Sequence, residues 1–289
     1  MKKLVSLVLA LMLCLSCVSA LAAEAWTVTC PWAPSGVAAM VNQKAASLST
    51  TYSQDYVLVA NAEKGDTATI NSWLTKYTEA DPQMCFIGEG MFGITAILDP
   101  ERMNFTYDDF EYVENLYSSI FVASARKELG ITSIDALKAY LEEGNQIMVG
   151  TNGATGSEAF LAAALIGAMG YGDQFYLIPY ESAAEAAQAV ARGEVDIAVS
   201  HQSQILETWQ QGGVDVFAAF DGEPIAQGPF KGVEGVGQYG YPYFRNRCFI
   251  FAKAGADEQK IADLKALYAQ ILTDEEMVDW LNNLSLIHI

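Results

Sequence analysis

The chain has 289 residues, of which 52% are hydrophobic and 18% are charged, so it can form two domains of ordinary size with buried cores. Its 35 acidic side chains outnumber the 16 basic ones and give a formal net charge of −19. This charge repels phosphate backbones and anionic headgroups, which argues against nucleic acid and acidic membrane surfaces as partners.

The first residues have the pattern of a secretion signal. Lys2 and Lys3 form a basic start, residues 4–18 are apolar without a charge, and small residues at positions 20 and 22 fit a signal-peptidase site. We expect residues 1–22 to be removed and the protein to lie in the periplasm or at the outer face of the cytoplasmic membrane. The mature chain then has 14 basic against 35 acidic side chains, a net charge of −21. A lipid anchor at Cys17 is the alternative, although the residues before it fit a lipoprotein signal poorly.

Strand-like and helix-like stretches alternate along the mature chain. The predicted strands are apolar runs at 26–30, 56–59, 84–87, 147–149, 175–178 and 195–199. The predicted helices begin near Val37, Ile70, Ser133, Phe160 and Ala183. This alternation implies parallel sheets with helices on both faces. Because there are too many units for one small sheet, we predict two α/β lobes with residues 120–125 crossing between them.

Finer features of the sequence give two more local predictions. A Ser or Thr followed three positions later by Glu predicts capping boxes that begin at Thr155, Ser182 and Thr273. The three cysteines of the mature chain lie in or at the end of apolar runs: Cys30, Cys85 and Cys248. We predict that these thiols are buried as small hydrophobic groups rather than joined in a disulfide or bound to zinc.

The sequence offers little to a catalytic mechanism. It has only two histidines, His201 and His288, and it lacks a nucleophile elbow, a Walker-type phosphate loop and a His/Cys cluster for a metal. We therefore expect no catalytic residue, no metal and no cofactor. An extracellular enzyme on the same fold is the weaker alternative.

One turn rich in small residues follows a predicted strand and precedes a helix in each half of the chain. The first is residues 31–36 and the second is residues 150–157. Small residues leave backbone N–H groups uncovered at the positive end of the helix dipole, and open α/β sheets bind ligands at such edges. Either turn alone is ordinary. Their equivalent positions in two lobes predict a ligand site between the lobes.

Four segments, in order, resemble the substrate-binding receptors of tripartite tricarboxylate transporters, called Bug-type receptors. Pro179-Tyr180 and Gly193-Glu194-Val195-Asp196 are similar to the family's Val-Pro-Tyr…Gly-x-Val-Asp signature, and residues 232–242 and 249–255 resemble two later segments. The resemblance covers nearly the whole mature chain, from about Trp26 to about Leu284.

The resemblance implies a two-lobe, periplasmic-binding-protein-like (type II) clamshell, in which each lobe is a mostly parallel sheet flanked by helices. It implies a first lobe from residues 23–120 and 228–289 and a second lobe from residues 121–227. It also implies that a small carboxylate or amino-acid-like solute is held in the cleft and delivered to integral-membrane permease subunits. We expect a monomer. A receptor that presents its closed form to a membrane sensor is the alternative.

Carried over residue by residue, the resemblance gives a candidate ligand-binding set. Backbone N–H groups, hydroxyls and ordered waters of these positions are implied to grip the solute. The set is Trp32, Pro34, Ser35, Gly36, Glu89, Gly90, Gly153, Thr155, Gly156, Ser157, Tyr180 and His201. Trp32 is expected either to pack on the ligand or to fill the lobe interface, and His201 either to reach the cleft or to be an ordinary loop residue.

Departures from the family pattern bear on the ligand. Ala39 stands where the family usually has an Asp, and Glu89 adds a carboxylate near the cleft. A buried carboxylate that faces an anionic ligand is costly unless it is paired or protonated. Glu89 is therefore expected either to hold the ammonium of an amino acid or to point away, and the acidic surface favours a neutral, zwitterionic or cationic solute.

The end of the chain departs from the family as well. Family members continue with more helix beyond residue 281, and residues 285–289 resemble translated sequencing-adapter read-through. We therefore expect a truncated gene model and assign no function to His288.

Overall fold

The computed structural model describes residues 23–34, 36–284 and 286. The predicted signal peptide, Ser35 and His288 lie outside these residues. In the described part of the chain, ten strands form two sheets of five strands each, and helices pack against both sheets. Within it, no helix has the length and apolar character needed to cross a membrane.

The first lobe is built on a sheet with the strand order β2-β1-β3-β10-β4. Its strands are β1 (Glu24–Cys30), β2 (Tyr56–Ala62), β3 (Gln83–Gly88), β4 (Phe110–Ser119) and β10 (Asn246–Lys253). Its longer helices are α1 (Val37–Tyr52), α2 (Thr67–Lys76), α7 (Glu258–Thr273) and α8 (Glu275–Asn283). Short helical turns connect β3 to β4: Met91–Thr95, Ala96–Leu98, Pro100–Arg102 and Tyr107–Asp109.

The second lobe is built on a sheet with the strand order β7-β6-β8-β5-β9. Its strands are β5 (Phe121–Arg126), β6 (Ile147–Asn152), β7 (Phe175–Tyr180), β8 (Ile197–His201) and β9 (Val214–Ala219). Its longer helices are α3 (Ile134–Glu142), α4 (Ser157–Ala168), α5 (Ala183–Ala191) and α6 (Gln202–Gln210). Three-residue or four-residue turns of 3-10 helix lie at Lys127–Leu129, Gly172–Gln174 and Val236–Tyr239.

In each sheet, four strands point the same way and one is reversed. The reversed strands are β10 in the first lobe and β5 in the second, each antiparallel to both of its neighbours. Both are the strands by which the chain enters from the other lobe. Because β4 ends at the carboxyl edge of the first sheet and Phe121 pairs with His201 at the carboxyl edge of the second, the two carboxyl edges face each other. The predicted two-lobe α/β fold is confirmed, and this geometry places the cleft.

Each lobe is stabilised by hydrophobic clusters on both faces of its own sheet. In α1, the spacing of Val41, Ala45 and Leu48 buries one stripe against the first sheet, and the Asn42 amide on the same stripe donates to the Val28 carbonyl at 2.9 Å. Ala39 is 1% exposed within this cluster, so the position that is acidic in the family is part of the core here.

The three cysteines of the described chain are free and buried, as predicted. Cys30 and Cys248 lie in the main cluster of the first lobe, and Cys85 lies in the cluster on the opposite face of the same sheet. Burial raises the pKa of Cys30 to about 11 and that of Cys248 to about 12.

Two of the three predicted capping boxes are wrong. Helix α4 begins at Ser157 after Gly156, so Glu158 is at its second position and the Thr155 side chain does not cap it. Helix α8 is capped by Asp274, which accepts from the Met277 N–H at 3.1 Å, because α7 extends through Thr273. The third predicted capping box, at Ser182, has one of its two hydrogen bonds.

In that third case, Ser182 accepts from the Glu185 N–H at 3.2 Å. The Glu185 carboxylate, however, accepts from the Glu181 N–H instead of the Ser182 N–H. The Ser182 side chain therefore provides the cap for α5, without the reciprocal bond.

The predicted division of the chain between the lobes stays a prediction. Phe230 and Val236 lie in the two clusters of the second lobe, and Gly235 forms a β-bridge with Ala219. This packing favours a return to the first lobe near Arg245, later than the predicted residue 228.

Candidate interlobe binding site

The two lobes approach each other at Gly90 and Ser157. Gly90 follows β3 in the first lobe, and Ser157 is the first residue of α4 in the second. A Cβ atom on Gly90 would lie 2.6 Å from the Ser157 hydroxyl oxygen, closer than real Cβ atoms come to their neighbours. Gly90 has ordinary helical angles, φ −57° and ψ −26°, so the absent side chain, and not the backbone conformation, is what this contact requires.

The turn between β6 and α4 is folded tightly around two glycines. Gly153 has φ +71°, a region that favours glycine, and its N–H donates to the Tyr180 carbonyl at 3.0 Å. A Cβ on Gly156 would lie 2.9 Å from the Asn152 carbonyl oxygen. Gly156 precedes α4 without a side-chain cap, so no side chain at the cap position takes the first N–H groups of this helix. Thr155, between the two glycines, is exposed.

Glu158 is a buried carboxylic acid at this helix start. It is 5% exposed, and its Oε2 lies 3.4 Å from the Cβ position of Gly156. Burial raises the pKa of Glu158 to about 7, and a hydrogen bond from its own backbone N–H opposes that shift. At neutral pH this group therefore holds its proton part of the time.

The corresponding turn of the first lobe contains Trp32, Pro34 and Gly36. Gly36 precedes α1 without a side-chain cap and donates its N–H to the Ala33 carbonyl at 2.8 Å, and Pro34 is exposed. The half-buried Trp32 ring packs edge-on against Phe86, with 6.0 Å between ring centroids. The Trp32 ring therefore packs at the carboxyl edge of the first sheet. The predicted Ser35 lies outside the described residues.

Glu89 forms a bidentate ion pair with Arg247. The carboxylate accepts from Nε at 2.8 Å and from Nη2 at 2.7 Å. The antiparallel pairing of β3 with β10 sets Cys248 opposite Gly88, which brings the preceding and following residues together. A carboxylate is tolerated near an anionic ligand when it is paired with a positive charge or protonated, and Glu89 meets the first of these two conditions.

A cavity of about 560 Å³ lies between the lobes at this point. We call it the paired-charge cavity. It is lined by Glu89 and Arg247 of the first lobe and by residues of the segment that joins the lobes, chiefly Asp221, Glu223, Tyr243, Phe244 and Arg245. The Arg245 guanidinium donates to Asp221 Oδ2 from Nε at 3.0 Å and from Nη2 at 2.8 Å, so the cavity contains a second Arg–carboxylate pair, in which both of these bonds reach one oxygen. Within the described residues, no three His, Cys, Asp or Glu side chains are placed to bind a metal ion.

Comparison with known proteins decides the family. A family model described as the tripartite tricarboxylate transporter family receptor matches residues 50–286. The chain belongs to this family of receptors. No curated protein sequence matches it significantly.

Solved structures similar to this receptor have low sequence identity and share its fold. MatC from Rhodopseudomonas palustris with bound malate is 18% identical, has a TM-score of 0.75, and covers 91% of this chain and 89% of its own. A second R. palustris protein, with adipate, is 16% identical at TM-score 0.77, with coverages of 90% and 87%. A TctC solute-binding protein from Polaromonas, without ligand, is 16% identical at TM-score 0.73, with coverages of 91% and 88%.

His201 of this receptor lies where the chain crosses between lobes. Its Nδ1 is 2.8 Å from the Ser119 hydroxyl oxygen at the end of β4, and its ring stacks on Phe121 with centroids 4.1 Å apart. Burial lowers the pKa of His201 to about 4, so the ring is neutral at physiological pH. His201 therefore ties the end of β4 to the end of β8.

Tyr180 and Asp196 of the receptor signature have different surroundings. The Tyr180 ring lies against Gly150, with Cε2 3.2 Å from the Cβ position of that glycine, and joins a hydrophobic cluster of the second lobe. The buried Asp196 accepts from Arg126 Nε and Nη2 at 3.0 and 2.8 Å and from the Met148 N–H at 2.9 Å. Asp196 therefore has a structural role at the edge of the sheet opposite the cleft.

Sequence reasoning about the receptor site missed Arg245, Arg247, Asp221 and Ser119. Each reaches the site through strand pairing or a crossing segment, and no local pattern indicates it. The capping-box pattern that begins at Thr155 predicts a capping role for Glu158 and does not predict the burial of this carboxyl group at the helix start.

Proposed function

We propose that this receptor holds a small carboxylated solute between its two lobes and delivers it to integral-membrane permease subunits, without chemistry of its own. The observation that carries the proposal is the apposition of Gly90 and Ser157, which brings the carboxyl edges of two lobes together at an uncapped helix start. The malate and adipate found in two proteins of the same fold support a carboxylate as ligand.

The carboxylate is assigned to the start of α4. The Ser157 hydroxyl and the backbone N–H groups of Ser157 and Ala159 are hydrogen-bond donors, while the Glu158 N–H bonds to its own carboxylate, and the helix dipole favours a negative charge there. Such recognition acts at short range in a partly dry cleft, which reconciles an anionic ligand with an acidic protein. The solute contacts both lobes only when they close, so binding shifts an open–closed equilibrium.

Thermal unfolding and calorimetry against malate, adipate and related carboxylates test this proposal. A ligand that binds only the folded receptor raises the midpoint in a concentration-dependent way. Ser157→Asp places a like charge where the carboxylate is assigned and should abolish the shift. Ser133→Asp is the matched control, because Ser133 caps α3, a helix outside the site, and Asp caps as well as Ser.

Two results would contradict the proposal. One is the absence of any shift with carboxylates when the protein is shown to be folded. The other is a shift that Ser157→Asp leaves unchanged. The accompanying expectations of export and a monomer are checked by the mass of the secreted chain, which should start at Ala23 or Glu24, and by light scattering.

A further inference from the structure

The paired-charge cavity adjoins the assigned carboxylate position. Glu89 lines the cavity, and the next residue, Gly90, touches Ser157 across the lobes. A solute with a carboxylate at the start of α4 therefore extends its other groups toward this cavity. The groups that the cavity presents indicate what those other parts of the solute are.

The cavity presents positive donors and negative acceptors side by side. Glu89 and Asp221 each bind the Nε and Nη2 atoms of their arginine, and within the described chain Nη1 of Arg245 and of Arg247 has no hydrogen-bond partner. Both arginine side chains are about half exposed, at 44% and 50%, so a solute can reach them. Each Glu89 oxygen accepts one bond from Arg247 and keeps a lone pair for a second donor, whereas each Asp221 oxygen already accepts two bonds, from Arg245 and from the Gly222 N–H.

The charge of the cavity disfavours a purely anionic solute. Its lining has three carboxylates against two guanidinium groups, and the exposed Glu223 forms no ion pair within the described residues. An ammonium group gains from this excess of negative charge, whereas an added carboxylate gains only where it meets a free guanidinium edge.

We infer that the solute is amino-acid-like, with an ammonium group beside Glu89 and Glu223 in addition to its carboxylate. Any second carboxylate lies at the free Nη1 edge of Arg247. This inference rests on the proposed function, because it describes the remainder of the same solute.

Pairs of solutes that differ only in the ammonium group test the inference. Calorimetry at fixed ionic strength compares aspartate with succinate, glutamate with glutarate, and alanine with propionate. We expect at least one amino acid to bind about tenfold or more tighter than its amine-free partner, the size expected for a hydrogen bond between charged groups. Glu89→Gln should remove most of that preference, and Glu223→Gln should reduce it.

Glu194→Gln is the matched control. Glu194 forms the same kind of bidentate pair with Arg192, at 2.6 and 3.0 Å, on the exposed surface of the second lobe, and its loss should leave the preference unchanged. Thermal midpoints without ligand show that each variant is folded.

The outcomes separate this inference from the proposed function. If amine-free carboxylates bind as tightly as the amino acids, or if neither glutamate variant changes the preference, the inference is wrong and the proposed function stands. If no solute with a carboxylate binds to the folded receptor, the proposed function fails and the inference falls with it.

Discussion

The contact between Gly90 and Ser157 predicts that a single methyl group at position 90 hinders closure of the lobes. In Gly90→Ala the new Cβ would lie 2.6 Å from the Ser157 hydroxyl oxygen and must move to about 3.4 Å, the start of ordinary contact. Because Gly90 has helical backbone angles, alanine adds no backbone strain. Because the Ser157 hydroxyl can turn away about its side-chain bond, the cost lies at the low end of the about 1–3 kcal/mol of overpacking, which corresponds to a loss of roughly 5-fold in affinity if ligand binds the closed form.

The ligand-free protein should lose little stability in Gly90→Ala, because opening the lobes relieves the contact and alanine restricts the unfolded chain more than glycine does. Calorimetry with the tightest carboxylate found, on the wild type, Gly90→Ala, Ser157→Gly and the double variant, measures the coupling. The loss caused by Gly90→Ala should disappear in the Ser157→Gly background. Binding by Gly90→Ala within twofold of the wild type, or an equal loss in both backgrounds, would refute the reasoning.

Three further predictions concern the buried carboxyl groups of Asp196 and Glu158 and the half-buried ring of His201. Asp196→Ala should lower the free energy of unfolding in urea by about 3 kcal/mol, because Arg126 and the Met148 N–H lose their acceptor; a change under 1 kcal/mol would contradict the structural role. The pKa of Glu158 is raised to about 7 in the folded protein, from about 4.3 in unfolded chains. The protonated carboxyl group therefore contributes its full stability to the fold below pH 4, and this contribution is lost as the pH rises to 7. Glu158→Gln should therefore gain up to about 3 kcal/mol on the wild type between pH 5 and pH 8 in thermal or urea unfolding, and parallel pH profiles would contradict this. The pKa of His201 is lowered to about 4, so the stability that its neutral ring gives the fold is full above pH 6.5 and is lost as the pH falls toward 4. The NMR signal of His201, assigned with a His288→Gln variant, should therefore titrate near pH 4. A midpoint near 6.5 would instead show an accessible ring and contradict this prediction.

Six of the ten strands and the two lobes were predictable because those strands are apolar runs long enough to cross a buried sheet, whereas β4 is interrupted by Glu111, Glu114 and Asn115 and was not predicted. Residues 120–125, predicted to cross between lobes, are almost the same as β5. The reversal of β5 and β10 was not predictable from the runs themselves, since an apolar strand buried on both faces reads alike in either direction. Direction follows from where the chain enters the sheet, which is a property of the whole fold.

The candidate site was predictable where it rests on turns and unpredictable where it rests on pairing. The glycines at 90, 153 and 156 are visible as breaks between a strand and a helix. The partner of Glu89 is 158 residues away, and it reaches Glu89 only through the register of β10 against β3. The sequence left open whether Glu89 holds an ammonium group or points away from the cleft. Its pairing with Arg247 bears on that choice, and no local sequence pattern indicates this partner.

The three buried thiols have a practical consequence for experiments on lobe motion. Thiol reagents attack the thiolate, and burial keeps the pKa of Cys30 and Cys248 far above the pH of a labelling reaction, while Cys85 has a pKa raised by burial as well. The folded receptor should therefore be inert to maleimide dyes without removal of its own cysteines. One new cysteine on an exposed position of each lobe would then carry a fluorophore pair whose distance reports closure, and any labelling of the unmodified chain would measure how often the first lobe unfolds.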